Sequence, residues 1–355
     1  MRSLPLLLLF IAAFTVSPGG AGAPAQVAGG TGTASPVAHG QRTAAVPRAD
    51  AERRLWAAVL IVRGSVPGSG ATWGVYTKGE RDTAFTRNMS ALTFGLALFD
   101  NGRTRRYYVA GGNGVHRSTD GGRHWRILTS WRTEEILCVV PDPVDSALIY
   151  VATPFGVFRS DDDGATWQKK MRGIPTWYVQ RIIMDARERN TLYAATETDV
   201  YRSTDRGEDW RPLGCGLKNV LAEIQDPQRP EVLLAAGEEQ GIRRTTDGGR
   251  TWRQVAGLDS ASVYTFRWSP SDGACYAAGW QTGLWRSTDT GATWRQVWAA
   301  PGIEAVYSIF VYPGDADHLL VGTVGSGIFE SGDGGITWRT AGLPGMQVKQ
   351  IEWYP

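Results

Sequence analysis

Residues 286–294 read Arg-Ser-Thr-Asp-Thr-Gly-Ala-Thr-Trp, the clearest of six copies of the pattern Ser-x-Asp-x-Gly-x-Thr-Trp. The tryptophans that end the copies are separated by 42, 43, 42, 42 and 44 residues. These tryptophans are Trp125, Trp167, Trp210, Trp252, Trp294 and Trp338, and the aspartates of the same copies are Asp120, Asp162, Asp205, Asp247, Asp289 and Asp333. A period of about 40–45 residues is typical of propellers, in which each repeat folds as one four-stranded blade. The pattern therefore predicts an all-β repeat protein.

Each copy has the composition of a tight hairpin turn between two strands. Alternating residues flank the copy at 286–294, and a cluster of Ser, Thr, Asp and Gly lies between them. The side chains of Ser287 and Asp289 can accept hydrogen bonds from backbone N–H groups within the turn. Gly291 suits a position with positive φ, and Trp294 offers a large apolar body to pack beside the hairpin. We therefore predict a structural role for these aspartates and tryptophans, with no metal-binding or catalytic role.

The spacing of apolar segments predicts the number of blades. Six complete blades fit between about residues 91 and 343, each beginning with an apolar inner strand. Residues 348–355 have the form of a further inner strand, and residues 55–78 contain strand-like segments and a degenerate copy of the turn that ends at Trp73. We therefore predict a seven-bladed β-propeller of four-stranded antiparallel blades. The C-terminal strand pairs with the N-terminal strands, which removes an exposed sheet edge, and residues 78–90 form an insertion. The alternative is six blades with a separate N-terminal segment.

The six copies resemble the Asp-box, or bacterial neuraminidase repeat, of sialidases, xyloglucanases, sortilin-type receptors and photosystem II assembly factors. The resemblance covers about residues 91–355. It implies that the turn is structural and lies on the propeller rim, away from the axis. In size and layout the chain is most similar to the photosystem II stability/assembly factor group. That similarity implies an export signal, one seven-bladed propeller and a binding or assembly role without catalytic apparatus.

Sialidases are similar to the chain in their repeats only. They carry an early Phe-Arg-Ile-Pro-like element, whose nearest counterpart here is Arg-Gly-Ile-Pro at residues 172–175, after the second copy and with a glycine interposed. Xyloglucanases of this repeat type use two propellers, and this chain has room for one. Glycosidase chemistry needs two carboxyl groups about 5–9.5 Å apart. A secreted glycoside hydrolase is therefore our second hypothesis, and a facing carboxylate pair in an open cleft would favour it.

The first 50 residues differ in composition from the rest of the chain. Arg2 precedes an apolar run at residues 4–16 and then small residues, the pattern of a signal peptide that is cleaved after Ala23. Residues 24–50 are rich in Ala, Gly and Pro and predict a flexible linker, which leaves residues 51–355 for the propeller. We expect an exported protein, secreted, extracellular or periplasmic, without stable membrane insertion. The alternative is a tether formed by an uncleaved signal anchor.

Charge and cysteine content argue against several classes of partner. The chain has 37 Lys and Arg against 35 Asp and Glu, so its formal charge of +2 gives no reason to propose a nucleic acid. Cys138, Cys215 and Cys275 lack metal-ligand spacing and are interpreted as small buried residues. The four histidines are scattered along the chain. We predict no metal, no cofactor and a monomer.

The face that carries inter-blade loops and the turns between second and third strands is where propellers usually meet their partners. Aromatic side chains next to charged groups on this face suit a sugar ring or a peptide. The alternative for the tryptophans here is that they seal gaps between blades. The candidate binding residues are Trp131, Arg132, Glu134, Glu135, Arg172, Trp177, Tyr178, Glu238, Glu239, Trp280, Gln281 and Glu304. Our first hypothesis is an exported, non-catalytic propeller that binds a protein or carbohydrate ligand through this face.

Overall fold

Seven four-stranded antiparallel sheets make up the part of the chain that a computed structural model describes. The structure describes residues 54–61, 73–129, 133 and 135–354, except for the side chain of Ile61. The sheets are the blades of a β-propeller, which confirms the predicted fold. The predicted signal peptide and linker lie outside the described residues.

The strands are numbered in chain order, and each blade takes four of them. The closing blade contains β1 (Arg54–Ile61), β2 (Gly74–Gly79), β3 (Thr86–Met89) and β28 (Met346–Tyr354). Blades one to three contain β4 (Thr93–Asp100), β5 (Arg105–Gly111), β6 (Gly114–Ser118), β7 (Arg126–Ile127); β8 (Cys138–Pro141), β9 (Ile149–Thr153), β10 (Gly156–Ser160), β11 (Gln168–Lys169); and β12 (Val179–Met184), β13 (Leu192–Thr196), β14 (Val200–Ser203), β15 (Arg211–Pro212). Blades four to six contain β16 (Val220–Gln225), β17 (Leu233–Gly237), β18 (Ile242–Thr245), β19 (Arg253–Gln254); β20 (Val263–Trp268), β21 (Cys275–Gly279), β22 (Leu284–Ser287), β23 (Arg295–Trp298); and β24 (Val306–Val311), β25 (Leu319–Thr323), β26 (Ile328–Ser331), β27 (Arg339–Gly342).

The core of the described structure lies between neighbouring blades. Seven clusters of buried side chains occupy the interfaces between successive blades around the ring. Every residue of β9, β13, β17, β21 and β25 is buried. These second strands are covered on both faces, so apolar and polar residues do not alternate along them, and the threonines that end three of them (Thr153, Thr196 and Thr323) are buried as well.

The ring is closed by pairing between the two ends of the described chain. Strand β28 pairs antiparallel with β1 from Arg54 opposite Tyr354 to Ile61 opposite Met346. Strand β28 thus becomes the inner strand of the closing blade, which confirms the predicted closure. Val348 and Ile351 of β28 are buried in one cluster with Ala57 of β1, so the same pairing also completes an apolar interface.

The closing blade differs from the prediction in its outer half. Strand β2 pairs with β1 on one side and with β3 on the other, as in Val75 opposite Met89. Residues 86–89, which the sequence predicts to lie in an insertion, are therefore the outermost strand. The degenerate copy that ends at Trp73 precedes the third strand of the blade, whereas the other copies precede the fourth. The physical reason is edge pairing, because β2 has one free edge once it is paired with β1, and β3 is the segment between β2 and β4 that pairs with that edge.

The six repeated turns have the same pattern of hydrogen bonds. In the copy at 286–294, the Ser287 hydroxyl donates to Asp289 Oδ1 at 2.8 Å and accepts from the Gly291 N–H at 2.9 Å. Asp289 also accepts from the Thr293 N–H at 2.9 Å and from its hydroxyl at 2.6 Å. The serine-to-aspartate and glycine-to-serine bonds recur in the other copies, where Thr245 once replaces the serine.

The glycine of the repeated turn is required by conformation and by packing. Gly291 has φ of +79°, which confirms the predicted positive value. A Cβ at this position would lie 2.7 Å from the side chain of Leu234 in the preceding blade. The turn therefore fits against its neighbour only when this position has no side chain.

Candidate functional site

The loop face consists of the loops that precede β8, β12, β16, β20 and β24, together with the turns between the second and third strands. Antiparallel connectivity places these segments at one end of the blades and the repeated turns at the other. Nine of the twelve predicted binding residues are described by the structure. Trp131, Arg132 and Glu134 lie outside the described residues.

A first group of predicted residues lies towards the rim, between blades two and three. Trp177 is 66% exposed, and the ammonium group of Lys169 lies 4.5 Å from the centroid of its ring. The guanidinium of Arg172 donates to Asp209 at 2.7 Å, and the Arg172 carbonyl accepts from the Trp210 N–H at 2.9 Å. Asp209 and Trp210 belong to the repeated turn of blade three. Arg172 is therefore held beside that turn, while Trp177 offers an open aromatic surface.

A second group surrounds Tyr178, at the start of the inner strand of blade three. Its hydroxyl donates to Gln180 Oε1 at 2.7 Å. Burial, together with the smaller effect of the negative charges of Glu197 and Glu135, raises the pKa of Tyr178 to about 12. Glu135 and Tyr178, which were predicted from two different loops, therefore interact electrostatically. Glu197, which was not predicted, belongs to the same group.

A third group lies at the inner strands of blades five and six. The rings of Tyr264 and Tyr307 are stacked with their centroids 5.1 Å apart, and Lys349 Nζ lies 3.6 Å from the Tyr307 centroid. The pKa of Tyr264 is raised by burial first, and then by Tyr307 and the carboxylates of Glu238 and Glu304. Burial lowers the pKa of Lys349 to about 7. Two predicted carboxylates therefore act electrostatically on a stacked tyrosine pair, and the amine of Lys349 lies against one of its rings.

Backbone contacts join the turn of blade five to the loop that enters blade six. Trp280 forms an isolated antiparallel bridge with Ala305, and the Gln281 N–H donates to the Glu304 carbonyl at 2.9 Å. Gln281 and Glu239 adopt left-handed φ values of 50° and 52°, which are uncommon for residues other than glycine. The structure therefore brings Trp280, Gln281 and Glu304 together on a backbone that is constrained between two blades.

The axial channel below this face contains charged groups. Arg267 of blade five forms two hydrogen bonds with Glu352 of the closing blade, at 3.0 and 3.2 Å. Blade six lies between those two blades, and the guanidinium of Arg267 lies 5.6 Å from the ring centroid of Phe310 in its inner strand. Glu223 of blade four is 3% exposed, and neither of its carboxylate oxygens has a hydrogen-bond partner. Burial raises the pKa of Glu223 to about 7, and the charge of Arg181 opposes this rise.

Glu197, Tyr264, Tyr307 and Lys349 were not among the residues predicted from the sequence. Tyr264 and Tyr307 each follow the first valine of an inner strand, where the register with the second strand is interrupted by an irregularity. Aligning the inner strands of the repeats would have shown aromatic residues at this position in two neighbouring blades. The stacking of those two rings depends on the spacing of the blades, so the sequence carries no signal for it.

Other features bear on the class of site. Among the described residues, no group of three or more His, Cys, Asp or Glu side chains is arranged to hold a metal ion. The three cysteines are free thiols, and Cys215 and Cys275 are buried. In the part of the chain that the structure describes, no helix is long and apolar enough to span a membrane.

Sequence comparison finds one short similarity and no match to a protein-family model. Over 117 residues the chain is 30% identical to a "Probable oligoxyloglucan-reducing end-specific xyloglucanase" of Neosartorya fischeri. The alignment covers 28% of this chain and 14% of that enzyme. The chain therefore spans a small part of the length of this relative.

Solved structures share the fold at low sequence identity. The GH74 xyloglucanase of Xanthomonas campestris is similar with a TM-score of 0.58 and 19% identity, over 70% of this chain and 45% of the enzyme. YCF48 bound to a D1 peptide is similar with a TM-score of 0.53 and 15% identity, over 70% of this chain and 83% of YCF48. The extracellular domain of a hybrid two-component system of B. thetaiotaomicron is similar with a TM-score of 0.56 and 14% identity, over 75% of this chain and 37% of that chain. These similarities show a propeller fold that enzymes and binding proteins share.

Proposed function

We propose that this protein is an exported, non-catalytic propeller that binds a protein or carbohydrate ligand through its loop face. The observation that carries the proposal is the grouping of Tyr264, Tyr307, Glu238 and Glu304 at the channel mouth. A flat aromatic surface beside carboxylates offers apolar contact and hydrogen-bond acceptors together, which suits a sugar ring or a peptide side chain. The exposed ring of Trp177 extends the same kind of surface towards the rim. The chain's N-terminal pattern supports export, and its repeated turns support assignment to the Asp-box type.

The second candidate function is a glycoside hydrolase, which the pair Glu238 and Glu304 beside Tyr264 favours. Two features favour binding over hydrolysis. Burial and the neighbouring carboxylates raise the pKa of Tyr264, which opposes ionisation of its phenol, whereas a tyrosine nucleophile needs to lose its proton. The carboxyl group whose pKa is raised towards 7, as a general acid requires, belongs to Glu223, which is 3% exposed and closed to a polymeric substrate.

The test is a screen of the mature chain against a glycan array, a peptide library and chromogenic glycosides. We expect a ligand without turnover. Trp177→Ala and Glu238→Gln should then weaken binding while the melting temperature stays nearly unchanged, since Trp177 is largely exposed. Truncating an aromatic anchor typically costs about 2 kcal/mol or more of binding free energy. Arg250→Ala, in the repeated turn of blade four, is the matched control on the opposite face.

Two results would contradict the proposal. Hydrolysis of a glycoside that is abolished by Glu238→Gln and Glu304→Gln would establish the second candidate instead. Normal binding by both loop-face variants together with loss of binding in Arg250→Ala would move the site to the opposite face.

A further inference from the structure

An arginine on the third strand connects successive blades on the repeated-turn face. The guanidinium of Arg159 donates to the Arg206 carbonyl at 2.9 Å, and that of Arg244 donates to the Thr290 carbonyl at 2.8 Å. In both pairs the acceptor is the residue after the turn aspartate in the next blade, with φ of 61°. In these pairs the arginine thus fills the space between one blade and the turn of the next, whereas Arg286 bonds to Tyr276 and Asp272 of its own blade. This position is occupied by Arg117, Arg159, Arg202, Arg244 and Arg286 in blades one to five.

Blade six departs from this arrangement, because Glu330 occupies the arginine position. The next blade is the closing blade, in which residues 80–85 join the third and fourth strands and do not form a copy of the repeated turn. Glu330 turns to its own blade: its Oε1 lies 2.7 Å from Nε2 of His318, and its Oε2 lies 2.9 Å from the Arg339 guanidinium. The His318 ring stacks on Tyr312 with centroids 3.8 Å apart, so the imidazole is fixed in orientation.

These side chains surround a pocket of about 370 Å³ on the repeated-turn face, which we name the seam pocket. It is lined by Asp315, His318, Glu330, Trp338 and Arg339, and its volume is in the range of small-ligand sites. All of the lining residues belong to blade six. Among them, a glutamate takes the place of the longer arginine of the other blades, so this position leaves more space in blade six.

The lining combines opposite charges with an aromatic ring. Two carboxylates, from Asp315 and Glu330, face the guanidinium of Arg339 and the imidazole of His318. Such a lining is close to neutral overall and gives little advantage to a strongly charged ligand. The Trp338 N–H is already bonded to the Gly335 carbonyl at 2.9 Å, and Trp298 stacks on the indole with centroids 4.5 Å apart. The part of the indole that lines the pocket therefore contributes apolar surface.

We propose that the seam pocket binds a neutral pyranose ring of a glycan. Carboxylate, guanidinium and imidazole groups are planar, and each can hydrogen-bond to neighbouring hydroxyl groups of a sugar. The indole of Trp338 suits the apolar C–H face of the same ring. The site lies on the face opposite the loop face, and it is independent of the function proposed above.

Saturation-transfer NMR and titration of the full chain with methyl pyranosides test the proposal. The probes are the methyl glycosides of glucose, galactose, mannose and xylose, with glucuronate and glucosamine as charged counterparts. We expect saturable binding of at least one neutral pyranoside, and weaker binding of the charged sugars. Glu330→Arg restores the residue of the other blades and fills the pocket, so it should reduce affinity by about tenfold or more. Arg339→Ala, at a side chain that is 77% exposed, should do the same without loss of folding.

The matched controls separate this pocket from the loop face and from the other turns. Arg295→Ala changes the same repeat position as Arg339 in blade five, and Trp177→Ala changes the loop face; both should leave pyranoside affinity unchanged. The proposal is overturned if no neutral pyranoside binds, or if affinity survives in both Glu330→Arg and Arg339→Ala. Loss of affinity in Trp177→Ala alone would also overturn it, because the sugar would then occupy the loop face.

Discussion

Glu223 allows a test of how a buried carboxylate changes the stability of the propeller. On the inner strand, Glu223 pairs with Ala235, the third residue of the second strand. The residues that occupy the position of Glu223 in the inner strands of the other blades are apolar. Those equivalents are Leu96, Val139, Ile182, Phe266, Ile309 and Ile351. Both carboxylate oxygens of Glu223 lack hydrogen-bond partners. Replacing it with the regular apolar residue, as in Glu223→Leu, should therefore stabilise the fold.

The size of the effect follows from the pKa. Burial raises the pKa of Glu223 from 4.5 to about 7, and a shift of this size corresponds to about 3 kcal/mol between the two protonation states. The folded state holds the proton more tightly, so ionisation destabilises it as pH rises from the unfolded value through the folded one. The pH-dependent advantage of leucine should grow from about 1 kcal/mol at about pH 5 to about 3 kcal/mol at about pH 8.

The assay is urea unfolding followed by tryptophan fluorescence at about pH 5, 6.5 and 8, for the wild type and Glu223→Leu. Linear extrapolation gives the free energy of unfolding at each pH. Glu188→Gln, at an exposed position of blade three, is the control for loss of a carboxylate and should show no such trend. A difference between wild type and Glu223→Leu that does not change with pH, or a leucine variant that is less stable at about pH 8, would refute the reasoning.

Four further outcomes follow from the structure. Asp289→Ala removes three hydrogen bonds of its turn and should lower the free energy of unfolding by about 1–3 kcal/mol without altering ligand binding; thermal melting and binding assays check this. Gly291→Ala places a Cβ at positive φ and against Leu234, so it should destabilise by more than about 1 kcal/mol in the same melts. Deleting residues 346–355 removes β28, and the product should be unfolded or oligomeric by size-exclusion chromatography; a native-like monomer would contradict closure. Trp177→Ala should leave the melting temperature nearly unchanged, and a large fall would assign that ring to packing.

Elements that depend on local chemistry were predictable from the sequence. The repeated turns form from hydrogen bonds that span at most four residues, such as Ser287 to Gly291, so their residues are visible as a short pattern. The inner strands of blades three, five and six begin and end where the apolar segments do, as at Val179–Met184. The unpaired segment at the C-terminus was enough to predict closure, because an open propeller leaves a sheet edge exposed.

Contacts between distant residues were decided by the tertiary structure. The outermost strand of the closing blade, Thr86–Met89, was missed because its pairing depends on which edge of β2 stays free. Arg172 was assigned to the loop face from its position in the chain, and its partner proved to be Asp209, in the repeated turn of the next blade. The sequence shows which residues lie in loops, but it does not determine which neighbouring blade each loop contacts.

By itself, then, the sequence determined the repeat, the blade number and the turns, since these depend on spacing and on short-range hydrogen bonds. Only the tertiary structure decided which side chains meet at the axis and at the last interface. The Arg267–Glu352 ion pair joins residues 85 positions apart, and Glu330 lines a pocket together with Asp315 and His318, which precede it by more than ten residues. Such groupings arise from the geometry of the closed ring, in which each side chain's surroundings come from other blades.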